Sequence, residues 1–278
     1  MTHPLKAAHI NATPEDLAGN QGIGRYIFLP GSDGRAQEIA KHFENVQVKT
    51  HERGHHLYLG TLRVENLDIE VASISSGMGC ASMEIFLHEL FQHGAKRFLR
   101  IGTAGSLQPW IKAGNLINAQ AAVRDEHTTT RYLPLEFPAV ASIEMTSSIL
   151  LAAEQLDLFD NMHTGVVHCK SSLYAREFGM GPLKEENNRY IRLLSQAGIL
   201  ASEMETAALF IQTQIYNHEL QMKNPEMHSS QVLSGAILGI VATLEEGYDR
   251  AGIAKQVINQ TIELGLETVK TLALQELG

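Results

Sequence analysis

The sequence predicts a three-layer α/β/α protein with a central, mixed, twisted sheet. Two observations carry this. Short apolar runs with strand character alternate along the chain with stretches of helical spacing. Glycines follow several of those runs, as Gly77 and Gly79 follow Val71–Ile74, where an open α/β sheet turns from strand to helix.

The first 24 residues read as an arm with one helical turn. Thr13 is placed to cap it, Pro14 to open it, and Glu15 and Asp16 to fill its first turn. Tyr26–Leu29 is a short strand ending in Pro30 and Gly31, followed by a helix carrying Ile39, Ala40 and Phe43. Val46–Thr50 and Leu57–Val64 read as strands. The His51–His56 cluster between them lacks the spacing of a helical zinc site and any soft ligand, so no metal is expected. After Gly79 a helix places Met83, Phe86, Leu87 and Leu90 on one side. Phe98–Ile101 is a strand running into a second glycine turn, Gly102-Thr103-Ala104-Gly105.

Further on, a strand follows Gly114, and the polar stretch from Arg124 to Tyr132 reads as a cleft rim. Thr128 and Thr129 there are sugar neighbours or plain turn residues. A helix spans about Thr146 to Leu156, Thr164–Cys169 is a strand, and Glu186–Gly198 is a helix. Residues 217–231 are polar and loop-like, the pattern of a surface insertion. Val232–Thr243 is an apolar strand, and Arg250–Leu274 has the apolar period of a packed helix. The organisation expected is one domain over residues 1–278.

Composition narrows the function classes. Apolar residues make up 44% and charged residues 19%, an ordinary globular balance. Net charge is −9 with no dense basic block, which argues against nucleic acid as a partner. No stretch is long enough to cross a bilayer, and Met1–Ile10 lacks the apolar core of a signal peptide. The two cysteines, Cys80 and Cys169, suit a reducing compartment rather than a disulfide scaffold, so cytoplasm is expected.

The chemistry concentrates at the glycine turns. Gly31 lets backbone N–H groups approach a ligand, and Arg35 adds a fork of donors beside it. Arg100 and Thr103 bring a cation and a hydroxyl to the second glycine segment, a set that suits phosphate. Glu203 and Glu205 flank Met204 just before an apolar helix. They either complement that helix's N-terminus or accept from sugar hydroxyls.

Taken in order, Leu29–Arg35, Ser76–Gly79, Arg100–Gly105 and Ser202–Thr206 resemble the nucleoside phosphorylase superfamily, and within it the uridine phosphorylases. The resemblance covers about residues 5 to 210. It implies the nucleoside phosphorylase-like topology and reversible cleavage of a pyrimidine nucleoside, uridine, by phosphate as co-substrate, with no cofactor. It assigns phosphate to Gly31, Arg35, Arg53, Arg100 and Thr103, and ribose to His9, Glu203, Met204 and Glu205. It places base recognition in the segment holding Leu173, Tyr174, Arg176 and Glu177. Where the family has a glutamine and an arginine this chain has Arg176 and Glu177, which either donate to a base carbonyl and accept from a ring N–H or face solvent. Arg100, Thr103 and Glu205 are the implied catalytic set. It further implies a homo-oligomer, a dimer or a trimer of dimers, in which His9 and Arg53 serve the neighbouring subunit's site. Gly54 stands where an acid usually follows that arginine, and Ala242–Glu245 carries no arginine for the base. Three other readings stay open: phosphorolysis of a purine or modified nucleoside, hydrolysis by a related nucleosidase, and a non-catalytic nucleoside-binding homologue.

Overall fold

The computed structural model describes residues 8–226, 231–243, 247–248 and 252–278. Its strands are β1 (Tyr26–Pro30), β2 (Glu44–Lys49), β3 (Leu57–Val64), β4 (Leu67–Ser73), β5 (Arg97–Ser106), β6 (Leu116–Asp125), β7 (Ala139–Val140), β8 (Met162–Lys170), β9 (Ala201–Glu203), β10 (Leu233–Thr243) and β11 (Gly247–Tyr248). The helices are α1 (Pro14–Leu17), α2 (Asp33–Ala40), α3 (Cys80–Gln92), α4 (Ile143–Gln155), α5 (Lys184–Gln196), α6 (Thr206–Lys223) and α7 (Ile253–Leu277).

The strands form one mixed sheet in the order β11-β10-β6-β8-β9-β5-β1-β4-β3-β2. β10 also pairs with β5, in parallel, so β5, β10, β6, β8 and β9 close into a ring. β1 shows why the middle of the sheet needs helices on both faces. Ile27 and Leu29 point into one apolar layer and Tyr26 and Phe28 into the other, and all four are buried. The first layer holds α3 and α6, and the second holds α2, α4 and α7. Met83, Phe86, Leu87 and Leu90 are all buried on α3, a transfer gain of roughly 6–12 kcal/mol before chain entropy is counted. α5 packs separately, through Ile191 and Leu194 against Leu107 and Ile199.

The Thr13 cap is present. Its side chain accepts from the Asp16 N–H, and the Asp16 carboxylate accepts from the Thr13 N–H at 2.7 Å. The described part of the arm is not loose, because Ile10 and Leu17 are buried in the core.

Two local readings change. Gly102-Thr103-Ala104-Gly105 is not a turn, because β5 runs straight through it. Neither glycine occupies the left-handed region. They answer a need for closeness instead: a Cβ on Gly102 would stand 2.6 Å from Leu238 Cδ2 and 3.0 Å from Arg100 Nη2. Residues 217–223 are also not loop but the end of α6. Tertiary bonds hold this polar stretch helical. The Asn217 amide donates to the Val232 carbonyl at 2.8 Å and accepts from the Gln231 and Val232 N–H groups. The tail of β10 remains as read, while Leu244 and Glu245 lie outside the described residues.

Candidate active site

β1, β4 and β5 run parallel; β1 and β4 end near the level of Ile101, and β5 continues past them to Ser106. The segments leaving β1 and β4 meet there, with Gly31 facing the Gly77 carbonyl. These strand ends, together with β9 and the segment after β8, enclose a cavity of about 670 Å³. Gly31, Arg35, Arg100, Thr103, Leu173, Glu177, Glu203, Met204 and Glu205 all line it. Residues far apart in the chain thus reach one space, as the sequence predicts.

Arg100 is the cation at its centre. Its guanidinium lies over Gly102 and is 4% exposed. Nη2 bonds Glu205 Oε2, and Nε stands 3.4 Å from Glu203 Oε2. Among the described residues, Nε and Nη1 have no hydrogen-bond acceptor. A buried cation with donors left over is arranged to receive an anion. Arg35 stands beside it, donating from Nη1 to the Ile101 carbonyl at 3.3 Å.

The two carboxylates divide their work. Glu203 accepts from the N–H groups of Glu205 (2.8 Å) and Thr206 (3.0 Å), holding the start of α6. Glu205 accepts from the Gly79 N–H at 2.6 Å, joining the β4–α3 turn to the α6 start. Burial pushes the Glu205 carboxyl up, against the pull of Arg100. Burial also opposes the charge on Glu203, but Arg100 and the backbone donors outweigh it and bring that carboxyl down. Neighbouring acids driven apart in this way are a pattern that working sites share with structural ion-pair networks.

Four predicted residues stand elsewhere. Arg176 does not reach the cavity. Its Nε meets Asp125 Oδ2 at 2.7 Å, its Nη1 donates to Asn187 Oδ1 at 2.8 Å, and its guanidinium covers the Tyr190 ring. The cause is local: Leu173–Glu177 form a single π-helical turn, which sends Arg176 outward and Glu177 inward. Tyr174 is exposed and tilts against Phe178. Arg53 is exposed on the turn after His51, outside this chain's cavity. His9 bonds Glu89 through Nδ1 at 2.6 Å, and Glu89 also accepts from the N–H groups of Ala8, His9 and Ile10. Thr129 is likewise removed from any sugar, being buried against Arg124 and Glu126.

Residues to which the sequence assigns no individual role also line the cavity, among them Ser32, His55, Ser82, Lys170 and Ser202. His55 bonds Ser75 Oγ at 2.7 Å, and burial lowers its pKa. Lys170 closes the apolar strand β8, a place where a lone lysine ordinarily marks the step into solvent. Nothing in its neighbours along the chain signals that it is buried.

Behind this wall, Asp125 accepts from His168 Nε2 at 2.9 Å and pairs with Arg176. Burial opposes the Asp125 charge, but His168 and Arg176 outweigh it and hold the carboxyl below its ordinary value. A depressed carboxyl stabilises the fold above its unfolded pKa of about 3.9, and that gain disappears as pH falls through the folded value. Asp125→Asn should therefore cost about 1–3 kcal/mol in urea unfolding at pH 7. The gap to the parent should close below about pH 4. A gap that stays constant with pH would show that the charge of Asp125 contributes nothing.

The chain is also similar in sequence to known proteins. A family model described as Phosphorylase superfamily matches residues 25–221. The uridine phosphorylase of Treponema pallidum is 37% identical over 190 residues, 68% of this chain and 71% of its own. That of Thermococcus kodakarensis is 32% identical over 211 residues, 75% and 72% of the two chains. Escherichia coli uridine phosphorylase is 28% identical over 274 residues, covering 95% of this chain and 97% of its own. The matched stretch runs from the strand before Gly31 to the helix after Glu205, so it contains the whole cluster around Arg100. The chain belongs to the phosphorylase superfamily.

Proposed function

We propose that this chain catalyses the reversible phosphorolysis of uridine to uracil and ribose 1-phosphate. One observation carries the reading. The buried Arg100, whose Nε and Nη1 have no hydrogen-bond acceptor among the described residues, lines the same cavity as the Glu205 carboxylate. An anion and a polyol can therefore be held together.

In this reading phosphate lies against Gly31, Arg35, Arg100 and Thr103, below the anomeric carbon. Glu205 accepts from the ribose hydroxyls, and Met204 packs on the apolar side of the sugar. The glycosidic C–N bond breaks with its electron pair going to the base, while a phosphate oxygen forms the new C–O bond. The proton of hydrogen phosphate ends on the free base. The sugar passes through an oxocarbenium-like state, which the phosphate dianion stabilises and then captures. No covalent enzyme intermediate and no metal enter these steps. His9 and Arg53 are assigned to the adjoining subunit's site in a homo-oligomer, and the cytoplasm is the assigned compartment.

The test is a panel of uridine, thymidine, cytidine, inosine and adenosine, each with and without phosphate. The expected result is phosphate-dependent release of base, fastest from uridine. Faster cleavage of inosine or adenosine would move the assignment to purine nucleosides. Cleavage independent of phosphate would replace phosphorolysis with hydrolysis.

A further inference from the structure

With Arg176 turned outward, Lys170 is the cation among the described lining residues that no phosphate or ribose role absorbs. We propose that Lys170 and Glu177 form the base-reading pair. Lys170 donates to a base carbonyl oxygen, and Glu177 accepts from the ring N–H beside it. The pair selects bases with a lactam edge and opposes the negative charge that grows on the leaving base. This rests on the phosphorolysis reading for what fills the cavity.

Placement comes first. Lys170 and Glu177 both line the cavity and form an ion pair with each other. Glu177 lies against Gly105, where a Cβ would stand 2.5 Å from its Oε1, so β5 gives up a side chain to admit this carboxylate. Arg35 touches the same strand at Ile101. Four strand residues separate the two points by roughly 13 Å. The pair therefore occupies the opposite end of the cavity from Arg35, where a base would project from a sugar held at Glu205.

The second argument is the support behind Lys170. A lysine only 2% exposed is rare unless it is held by partners. Here Nζ donates to Ser202 Oγ at 2.9 Å. His168 gives its Nε2–H to Asp125, which leaves Nδ1 to accept the Ser202 hydroxyl hydrogen at 3.0 Å. The oxygen lone pairs of Ser202 are thereby turned toward Lys170. The strand register matches, with Gly105 opposite Ser202, Ser202 opposite His168 and Asp125 opposite Lys170. The remaining Lys170 hydrogen reaches only the Glu203 carbonyl, at 3.5 Å, and is the one open to a ligand. Among the described residues, Glu177 Oε2 has no hydrogen-bond partner beyond the ion pair. One donor and one acceptor are thus left side by side.

Uracil offers the complement, a carbonyl next to an N–H. Cytosine offers a bare ring nitrogen and an amino group, which meets carboxylate with lone pair and ammonium with N–H. A site with such directional groups should prefer uridine over cytidine by roughly 10²-fold or more in kcat/KM.

The test uses the full chain with E177Q, K170M and K170R, each first checked by circular dichroism and melting. In E177Q the uridine:cytidine ratio should fall at least about tenfold, with the KM for phosphate unchanged. In K170M, kcat on uridine should fall roughly 10²-fold. The loss should be smaller on 5-fluorouridine, whose base leaves as a better-stabilised anion, and K170R should recover part of it. An unchanged uridine:cytidine ratio in E177Q overturns the proposal, as does an equal loss on uridine and 5-fluorouridine in K170M. Should K170M not fold, the comparison is made between K170R and the parent, and an equal effect on the two nucleosides again overturns it. If the parent cleaves no nucleoside, the phosphorolysis reading fails by itself. Calorimetric titration of uracil and cytosine into parent and E177Q then decides the pair separately: loss of a uracil preference supports it, and its retention overturns it.

Discussion

Arg100→Ala lowers kcat/KM for uridine phosphorolysis by roughly 10²-fold or more and raises the phosphate concentration needed for turnover. The expectation follows from what surrounds the guanidinium. It pairs with both Glu203 and Glu205, and its Nη1 has no hydrogen-bond acceptor among the described residues and is left for the space proposed for phosphate. Removing it also leaves two buried carboxylates without their cation, so stability should drop by about 3–5 kcal/mol. The two losses are separable. Arg100→Lys keeps a positive charge beside the carboxylates but lacks the planar fork, so it should regain more stability than activity. Initial rates over a phosphate series, beside urea unfolding of the same samples, would measure both. Unchanged phosphate dependence in a folded Arg100→Ala protein would remove Arg100 from the anion site.

Glu205→Gln gives the second large effect, of a different kind. An uncharged amide oxygen can still accept the Gly79 N–H, so the turn before α3 keeps its support. The charged acceptor for the ribose hydroxyls is gone, and that should cost about 1.5–3 kcal/mol, or roughly 10- to 10²-fold in kcat/KM for uridine. Part of the loss belongs to the 2′-hydroxyl, so 2′-deoxyuridine should suffer less. Equal losses on the two substrates would confine Glu205 to the 3′-hydroxyl or to the fold.

Much of this site is legible in the amino-acid sequence. The arginines, the glycines and the Glu203-Met204-Glu205 run are chemically distinctive, and their order fits one cleft. Strand β3 and the Thr13 cap are equally plain, because a short apolar run and a capping pattern act over a few residues. The misread parts share a different cause. Gly102 and Gly105 look in sequence like the glycines of a turn. Their reason is the proximity of Leu238 and Glu177, supplied by other elements of the fold, and of the Arg100 guanidinium folded back along the same strand. Arg176 and Glu177 are neighbours whose roles are set by the direction of one π-helical turn, which residue type does not reveal. The burial of Lys170 has no local signal, because its partners Ser202 and Glu177 come from separate segments.

The closed ring of strands also bears on how the molecule is made. Synthesis runs from the N-terminus, and β1 can pair with β5 as soon as both have left the ribosome. The other side of β5 waits for β10, far along the chain, where Arg97 lies opposite Leu233. Until then a largely apolar strand keeps one row of backbone groups unpaired, a template for wrong partners during translation. The long separation makes this closure slow. A nascent chain therefore carries the Arg100 strand through a vulnerable interval, and chaperone demand should peak after β5 emerges and end once β10 has docked.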